Sequence, residues 1–204
     1  MSSQSARIDA DVFTSPGREW RSVTLWMLND RLEHDRLAEQ LRLFKEAGWG
    51  AVIPRTFWGL DTIYMSDEFM DAMQFIVAEA GRVGLKVWLQ AGYMPRAIPD
   101  WPREHCLRVL AAVPDGEDVP EDAHIVARTD GLQCVARTVE HCVNLLDPEA
   151  VNAYLEAVYR DAWFDRLGDQ FGQTIEGVWV DEPSFPPTGY GLHQVPWGDA
   201  LLDE

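Results

Sequence analysis

The chain has 204 residues, 47% hydrophobic and 25% charged, the balance of an ordinary globular protein. Thirty-four acidic against 17 basic side chains leave a formal charge of −17, which repels phosphate backbones and anionic membranes and argues against nucleic-acid or membrane partners. No apolar run approaches the ~20 residues of a membrane span, and the start MSSQSARIDADVF lacks a basic-then-apolar leader, so a cytoplasmic protein is expected.

Residues 1–21 read as an irregular N-terminal segment with a turn at Ser15-Pro16-Gly17. SVTLWML (22–28) is β-branched and apolar, a buried strand ending at Asn29-Asp30. A helix is expected from about Leu32 to Ala47, with Leu37, Leu41 and Phe44 at helical spacing and Gly48 as its stop. WGAVIP (49–54) is the second strand and runs into the loop RTFWGLDTIYM. Ser66 caps the next helix, Asp67 and Glu68 suit its dipole, and Phe69, Met73, Ile76 and Ala80 form its apolar stripe. LKVWLQ (85–90) is the third strand, followed by the loop AGYMPRAIPDWP.

The rhythm then changes. CLRVLAAV, AHIVART and LQCVART are strand-like, and the last two flank Asp130-Gly131, a strong hairpin signal. Residues of about 106–146 are expected to be a small antiparallel insertion, with Pro114 to Asp122 as its acidic loop. A helix restarts at Asp147-Pro148, with Asp147 as cap and Val151, Leu155, Val158 and Ala162 facing inward. TIEGVWV (174–180) is the fourth strand. Cys106, Cys134 and Cys142 are an odd number with no common zinc spacing, so they read as reduced strand cysteines.

This order implies a parallel sheet with right-handed crossovers. A doubly wound sheet and a (β/α)8 TIM barrel compete. The first strand–helix junction lacks a glycine-rich phosphate fingerprint, which weakens the nucleotide-binding form. All four strands end in polar residues, Asn29-Asp30, Arg55, Gln90 and Asp181-Glu182, and a barrel gathers such ends on one face. Barrels need about 200 to 250 residues or more, whereas four strands here consume the first 180. The expectation is therefore the N-terminal half of a barrel over 22–204, about four β/α units, which would self-associate if it were a true half-barrel.

The fourth strand leaves the core as IEGVWVDEPSF, placing two adjacent carboxylates, Asp181 and Glu182, before Pro183, which has no N–H and stops the ladder. Neighbours on a strand face opposite ways, so one acid points into the pocket and the other braces the loop. A carboxyl among aromatics can have a raised pKa and serve as a general acid. Trp26, Trp88 and Trp179 lie within strands and read as core. Trp58, Tyr93 and Trp101 lie in loops on the expected active face and are candidates for stacking on sugar rings. His34 reads as a solvated helix residue, and His193 and Trp197 as loop residues after the acidic pair.

These segments, taken together and in order, resemble the α-L-rhamnosidases of glycoside hydrolase family 106 and their uncharacterised barrel relatives. LWMLND is similar to their W-F-W-N-D-x-L opening, and KEAGWGAVIPRTFWGLDTIYMSDEF and VAEAGRVGLKVWL continue the likeness. The segment from NLLDPEAV to WVDEPSF ends in a D-E-P strand end like theirs, and coverage is about 22–202. The resemblance implies a barrel that cleaves glycosidic bonds, with Glu182 as general acid and Asp181 as its neighbour. It implies that Asn29 and Arg55 contact sugar hydroxyls and that Tyr64 matches a loop tyrosine. It also implies that calcium can be used, without giving a ligand set; no other cofactor is expected. One departure follows the third strand, where Gln90, Ala91 and Gly92, ahead of Tyr93, stand in place of family acids, so sugar recognition is expected to differ. Most glycosidases use a second carboxyl group; it is expected beyond Glu204, and this chain alone is expected to be nearly inactive. The rival readings are a non-catalytic carbohydrate-binding barrel and a metal-dependent barrel with Asp181 and Glu182 as ligands.

Overall fold

A computed structural model describes residues 10–92, 98, 100–119, 121, 123–181 and 194–198. Glu182, Tyr93 and His193 lie outside the described residues. The chain divides into two compact units.

The first unit is built on a four-stranded sheet. A short helix α1 (Ala10–Thr14) and a 3-10 turn at Arg18–Trp20 precede it, giving order to part of the segment expected to be irregular. Its strands are β1 (Val23–Leu28), β2 (Ala51–Thr56), β3 (Lys86–Gly92) and β7 (Ile175–Asp181), in that spatial order. β1 and β2 pair in parallel over six residues, and β2 pairs in parallel with β3. The Val87 N–H donates to the Thr174 carbonyl just before β7 (2.9 Å), and Trp88 lies against Gly177 further along, so β7 runs the same way.

Helices α2 (His34–Glu46) and α3 (Asp67–Val83) supply the crossovers. Leu37 and Leu41 of α2 are buried, as are Met73, Ile76, Val77 and Ala80 of α3. Trp26 meets Phe44 edge-on at 5.5 Å and donates its indole N–H to Gln40 (2.6 Å), which fixes α2 against β1. A face that buries this much aliphatic surface is stabilised at about 25 cal/mol per Å² removed from water. The expected cap on α3 is present, since Phe69 N–H donates to Ser66 Oγ at 3.2 Å.

Each strand of this sheet is added on the same side of the one before it. A doubly wound sheet reverses its strand order at a switch point; among the described residues there is no reversal, and the doubly wound alternative is set aside. The expected TIM barrel is not seen either. The described residues form an open four-stranded sheet with β1 and β7 at its edges.

The second unit holds the expected antiparallel strands of 106–146 and extends them by a fourth. β4 (Cys106–Pro114), β5 (Ala123–Thr129), β6 (Leu132–Val143) and β8 (Gln194–Trp197) make a four-stranded antiparallel sheet in the order β5-β6-β4-β8. The β5–β6 turn falls at Asp130-Gly131 as expected. β8 was not legible as a strand; it pairs Arg108 with Trp197 and Leu110 with Val195, and it buries Trp197. All three cysteines are free and lie in β4 and β6.

Helix α4 (Pro148–Tyr154) begins where expected, with the Glu149 N–H donating to Asp147 Oδ1 at 2.9 Å. It widens into a π-helix over Leu155–Phe164 and ends in α5 (Asp165–Leu167). The next buried side chain after Val158 is therefore five positions on, not four. Trp163 points inward where α-helical spacing had placed Ala162, and Leu155, expected inside, is exposed.

Candidate functional site

In a parallel sheet the C-terminal ends of all strands share one edge, so the register of the first unit determines which end residues meet. Met27 pairs with Arg55 and Leu28 with Thr56, and the Phe57 N–H donates to the Leu28 carbonyl (3.0 Å). Arg55 and Met27 share a face of the sheet, with Nη1 3.9 Å from the methionine sulfur. The guanidinium carbon lies 5.4 Å from the centre of the Phe57 ring and 5.7 Å from that of Trp179. β7 is two strands from β2, a separation of ~9–10 Å, so the Arg55 side chain crosses over β3 to reach Trp179.

The pairing of Ala51 with Lys86 and Val52 with Val87, continued without a shift, sets Gln90 beside Arg55 on β3. Gln90 is only 6% exposed. Trp88 occupies the same face: a Cβ on Gly177 would meet its ring at 3.1 Å, so a larger residue there would push the indole back by a few tenths of an ångström. The edge thus holds a half-buried cation seated on two aromatic rings, an arrangement worth roughly 1–2 kcal/mol when desolvated. Cations elsewhere on the four strands are limited to Lys86, at the opposite end of β3 and 3.6 Å from Glu176.

A tight turn follows β2. The Leu60 N–H donates to the Phe57 carbonyl (3.1 Å), and Gly59 has φ +95°. A Cβ at Gly59 would come within 2.8 Å of the Asn29 carbonyl oxygen, so the turn rests directly on the end of β1. It presents Trp58 to solvent at 67% exposure, and Asn29 is exposed beside it. The next residue, Asp30, accepts from the Arg31 N–H (2.8 Å) and from Arg36 Nη1 (2.8 Å). The Arg31 hydrogen bond first, and then the Arg36 guanidinium, hold its carboxyl below the usual range, so it remains ionised at neutral pH.

The structure brings together Asn29, Arg55, Trp58 and Gln90 in the first unit. Asp181 closes β7. Tyr64 is placed in the second unit, 4% exposed, with Phe69 edge-on at 5.1 Å and Tyr154 and Tyr159 nearby. Burial, reinforced by those two tyrosines, pushes its hydroxyl well above the usual phenol range. Phe69 in turn meets Trp163, so Tyr64 belongs to an aromatic core. Trp101, expected in a loop on the active face, is also buried in the second unit and donates its indole N–H to the His105 carbonyl (3.1 Å). His34 is exposed as expected, with its ring stacked on Phe75 at 4.1 Å. Among the described residues no group of three or more His, Cys, Asp or Glu could hold a metal ion.

Sequence reasoning had assigned Trp179 to the core and had not considered Phe57 or Met27 at this edge. The available signal was spacing: Met27, Trp88 and Trp179 each lie two residues before a polar strand end, Asn29, Gln90 and Asp181, and so on the same side of the strand as that end.

No protein-family model matches the chain. No curated protein matches it. Among solved structures it is similar to a rhamnosidase from Novosphingobium sp. PP1Y, at 21% identity and a TM-score of 0.38, over 57% of this chain and 12% of that one.

Proposed function

We propose that the protein is a glycoside hydrolase in which Glu182 protonates the departing glycosidic oxygen at the end of β7. One observation carries the reading: an unreversed parallel sheet whose C-terminal edge gathers Arg55, Gln90, Asn29 and Trp58, with Asp181 closing the last strand and Glu182 next in the chain. The sequence motifs around these same strand ends, similar to those of family-106 hydrolases, support it. In this reading Asn29 and Gln90 bond sugar hydroxyls, Trp58 stacks on a ring, and Asp181 positions the acid. Tyr93, next in the chain after β3, is a further candidate for contact with sugar. The reaction calls for a second carboxyl group, ~5–5.5 Å away for retention or ~6.5–9.5 Å for inversion.

The test is hydrolysis of alkyl glycosides, whose leaving oxygen must be protonated, by the full protein and by its Glu182→Gln variant. A loss of roughly 10²- to 10⁴-fold is expected. Unchanged turnover in the variant contradicts the role. A second reading, a carbohydrate-binding protein without turnover, draws on neutral, buried Gln90 at a strand end where the similar family carries acids. Sugar binding by calorimetry without hydrolysis by the full protein favours it.

A further inference from the structure

The first unit leaves one sheet face and two strand edges open. Parallel sheets are found almost only with both faces covered. Each strand is added on the same side of the last, so right-handed crossovers place α2 and α3 on one face, where Trp26 meets Phe44. The opposite face carries Leu25, Met27, Ile53, Trp88 and Trp179, and Leu25 is 39% exposed there. Neither outer edge of the sheet has a partner among the described strands. Natural proteins blunt such edges with charges, prolines, bulges or short strands. β1, VTLWML, has none of these: it is six residues long, uncharged and paired to β2 without a shift. β7 keeps its acids near its ends, at Glu176 and Asp181, and exposes Val178 and Val180 between them.

We infer that a second copy of this chain covers these surfaces, with β7 of each copy pairing β1 of the other so that eight strands close into a barrel. A two-fold axis along the strands preserves their direction, so both seams are parallel, like the pairings within the sheet. Eight strands is also the number at which side chains just fill a barrel's interior. The area suffices. A face of four strands, six residues long, covers on the order of 400 Å², and its two edges add about as much again. Two copies thus bury on the order of 1,600 Å², the standard size of a specific interface. Closure also brings the second copy's β7 end, at Asp181, to the same mouth on the opposite wall. The pairing stands on the sheet alone; that the second copy supplies the second carboxyl group rests on the glycoside reading above.

Sedimentation equilibrium of the full chain should show a dimer of about 46 kDa, twice 23.1 kDa, with a Kd no weaker than about 10 μM. Each copy carries −17, so added salt should tighten the dimer by screening that repulsion. Leu25→Lys places a charge in the closed interior and should weaken association at least about 100-fold, because an unpaired charge is costly to bury. Its far-UV circular dichroism should stay that of wild type, since Leu25 is partly exposed in a single copy. The same change at Ile125, 40% exposed in the second unit, should leave association unaltered.

A monomer at every concentration overturns the inference. So does a dimer broken by Ile125→Lys and not by Leu25→Lys, which pairs through the second unit instead. Hydrolysis rates separate this inference from the glycoside reading. If hydrolysis per mole of wild-type chain falls on dilution below the Kd, and is lost in Leu25→Lys, both stand. Hydrolysis by a monomer, unchanged on dilution, keeps the glycoside reading and overturns the inference. A Leu25-dependent dimer that neither binds nor hydrolyses glycosides supports the pairing and removes the glycoside reading, together with the second copy's role in it.

Discussion

Gly59 offers a sharp test of how the candidate edge is assembled. Replacing it with alanine adds one methyl group at φ +95°, 2.8 Å from the Asn29 carbonyl oxygen. The backbone angle alone costs an L-residue roughly 1–2 kcal/mol. The contact costs about as much again, because the opposing atom is backbone and cannot rotate away, and overpacking of this kind costs roughly 1–3 kcal/mol. The sum, about 2–4 kcal/mol, is a large part of the ~5–15 kcal/mol that stabilises a typical protein. For a chain of this size it corresponds to a fall in melting temperature of roughly 5–15 °C. Urea titration followed by far-UV circular dichroism measures it. Gly59→Asn separates the two contributions: asparagine tolerates the left-handed region, so about 1 kcal/mol should return while the clash remains. Because the turn carries Trp58, the alanine variant should also shift tryptophan emission. A Gly59→Ala protein as stable as wild type within about 0.5 kcal/mol would refute the packing of this turn on β1.

Other consequences follow from groups outside this turn. Tyr64→Ala should destabilise the second unit by roughly 3–5 kcal/mol as a large-to-small core change, measured by thermal melting, while Tyr64→Phe should leave sugar binding within twofold of wild type by calorimetry. The hydroxyls of Tyr64, Tyr154 and Tyr159 are all pushed above the usual phenol range, chiefly by burial. Absorbance titration at about 295 nm should therefore show three of the five tyrosines silent as pH passes the ordinary value near 10. The sign is fixed by the raised values: above pH ~10 the unfolded chain releases these protons first, so stability is full below that pH and is lost as pH climbs. Glu176 is held below the usual carboxylate range by Arg18, at 3.0 Å, with a smaller contribution from Lys86. Its stabilisation is present above the ordinary glutamate value near pH 4.3 and fades below it. Glu176→Gln should thus lower stability at pH 7 by at most about 1 kcal/mol, since the pair is a third exposed, and the two proteins should converge by about pH 3 in denaturant titrations.

Many of the elements were legible because their signals have a local cause. In the first unit the run from Val23 to Leu28 is apolar and β-branched; in the second, Ser66 caps the start of α3 and Asp147-Pro148 opens α4, all within a residue or two of the sequence expectation. Harder to read were features set by distant partners. β8 is four residues long and exists because β4 offers it an edge, a pairing across more than 80 residues that no local pattern announces. The π-helical stretch breaks the 3.6 period that sequence reading assumes, and so Trp163 replaced Ala162 on the inner face. Tyr64 and Trp101 sit in polar surroundings in the sequence, yet tertiary contacts with Phe69 and the His105 carbonyl draw them inside. At the candidate site, Asn29, Arg55 and Gln90 were identifiable as polar strand ends. The seating of Arg55 on Trp179 was not, because it depends on a side chain spanning two strands.

The proposal turns on Glu182 delivering a proton to a leaving glycosidic oxygen. The most direct measurement is the rate of hydrolysis by the full protein across aryl and alkyl glycosides of graded leaving-group pKa, for wild type and Glu182→Gln. A shallow dependence is expected for wild type and a steep one for the variant, with 2,4-dinitrophenyl glycosides spared and methyl glycosides nearly inert. Two parallel lines, or a variant that cleaves methyl glycosides at the wild-type rate, would contradict it.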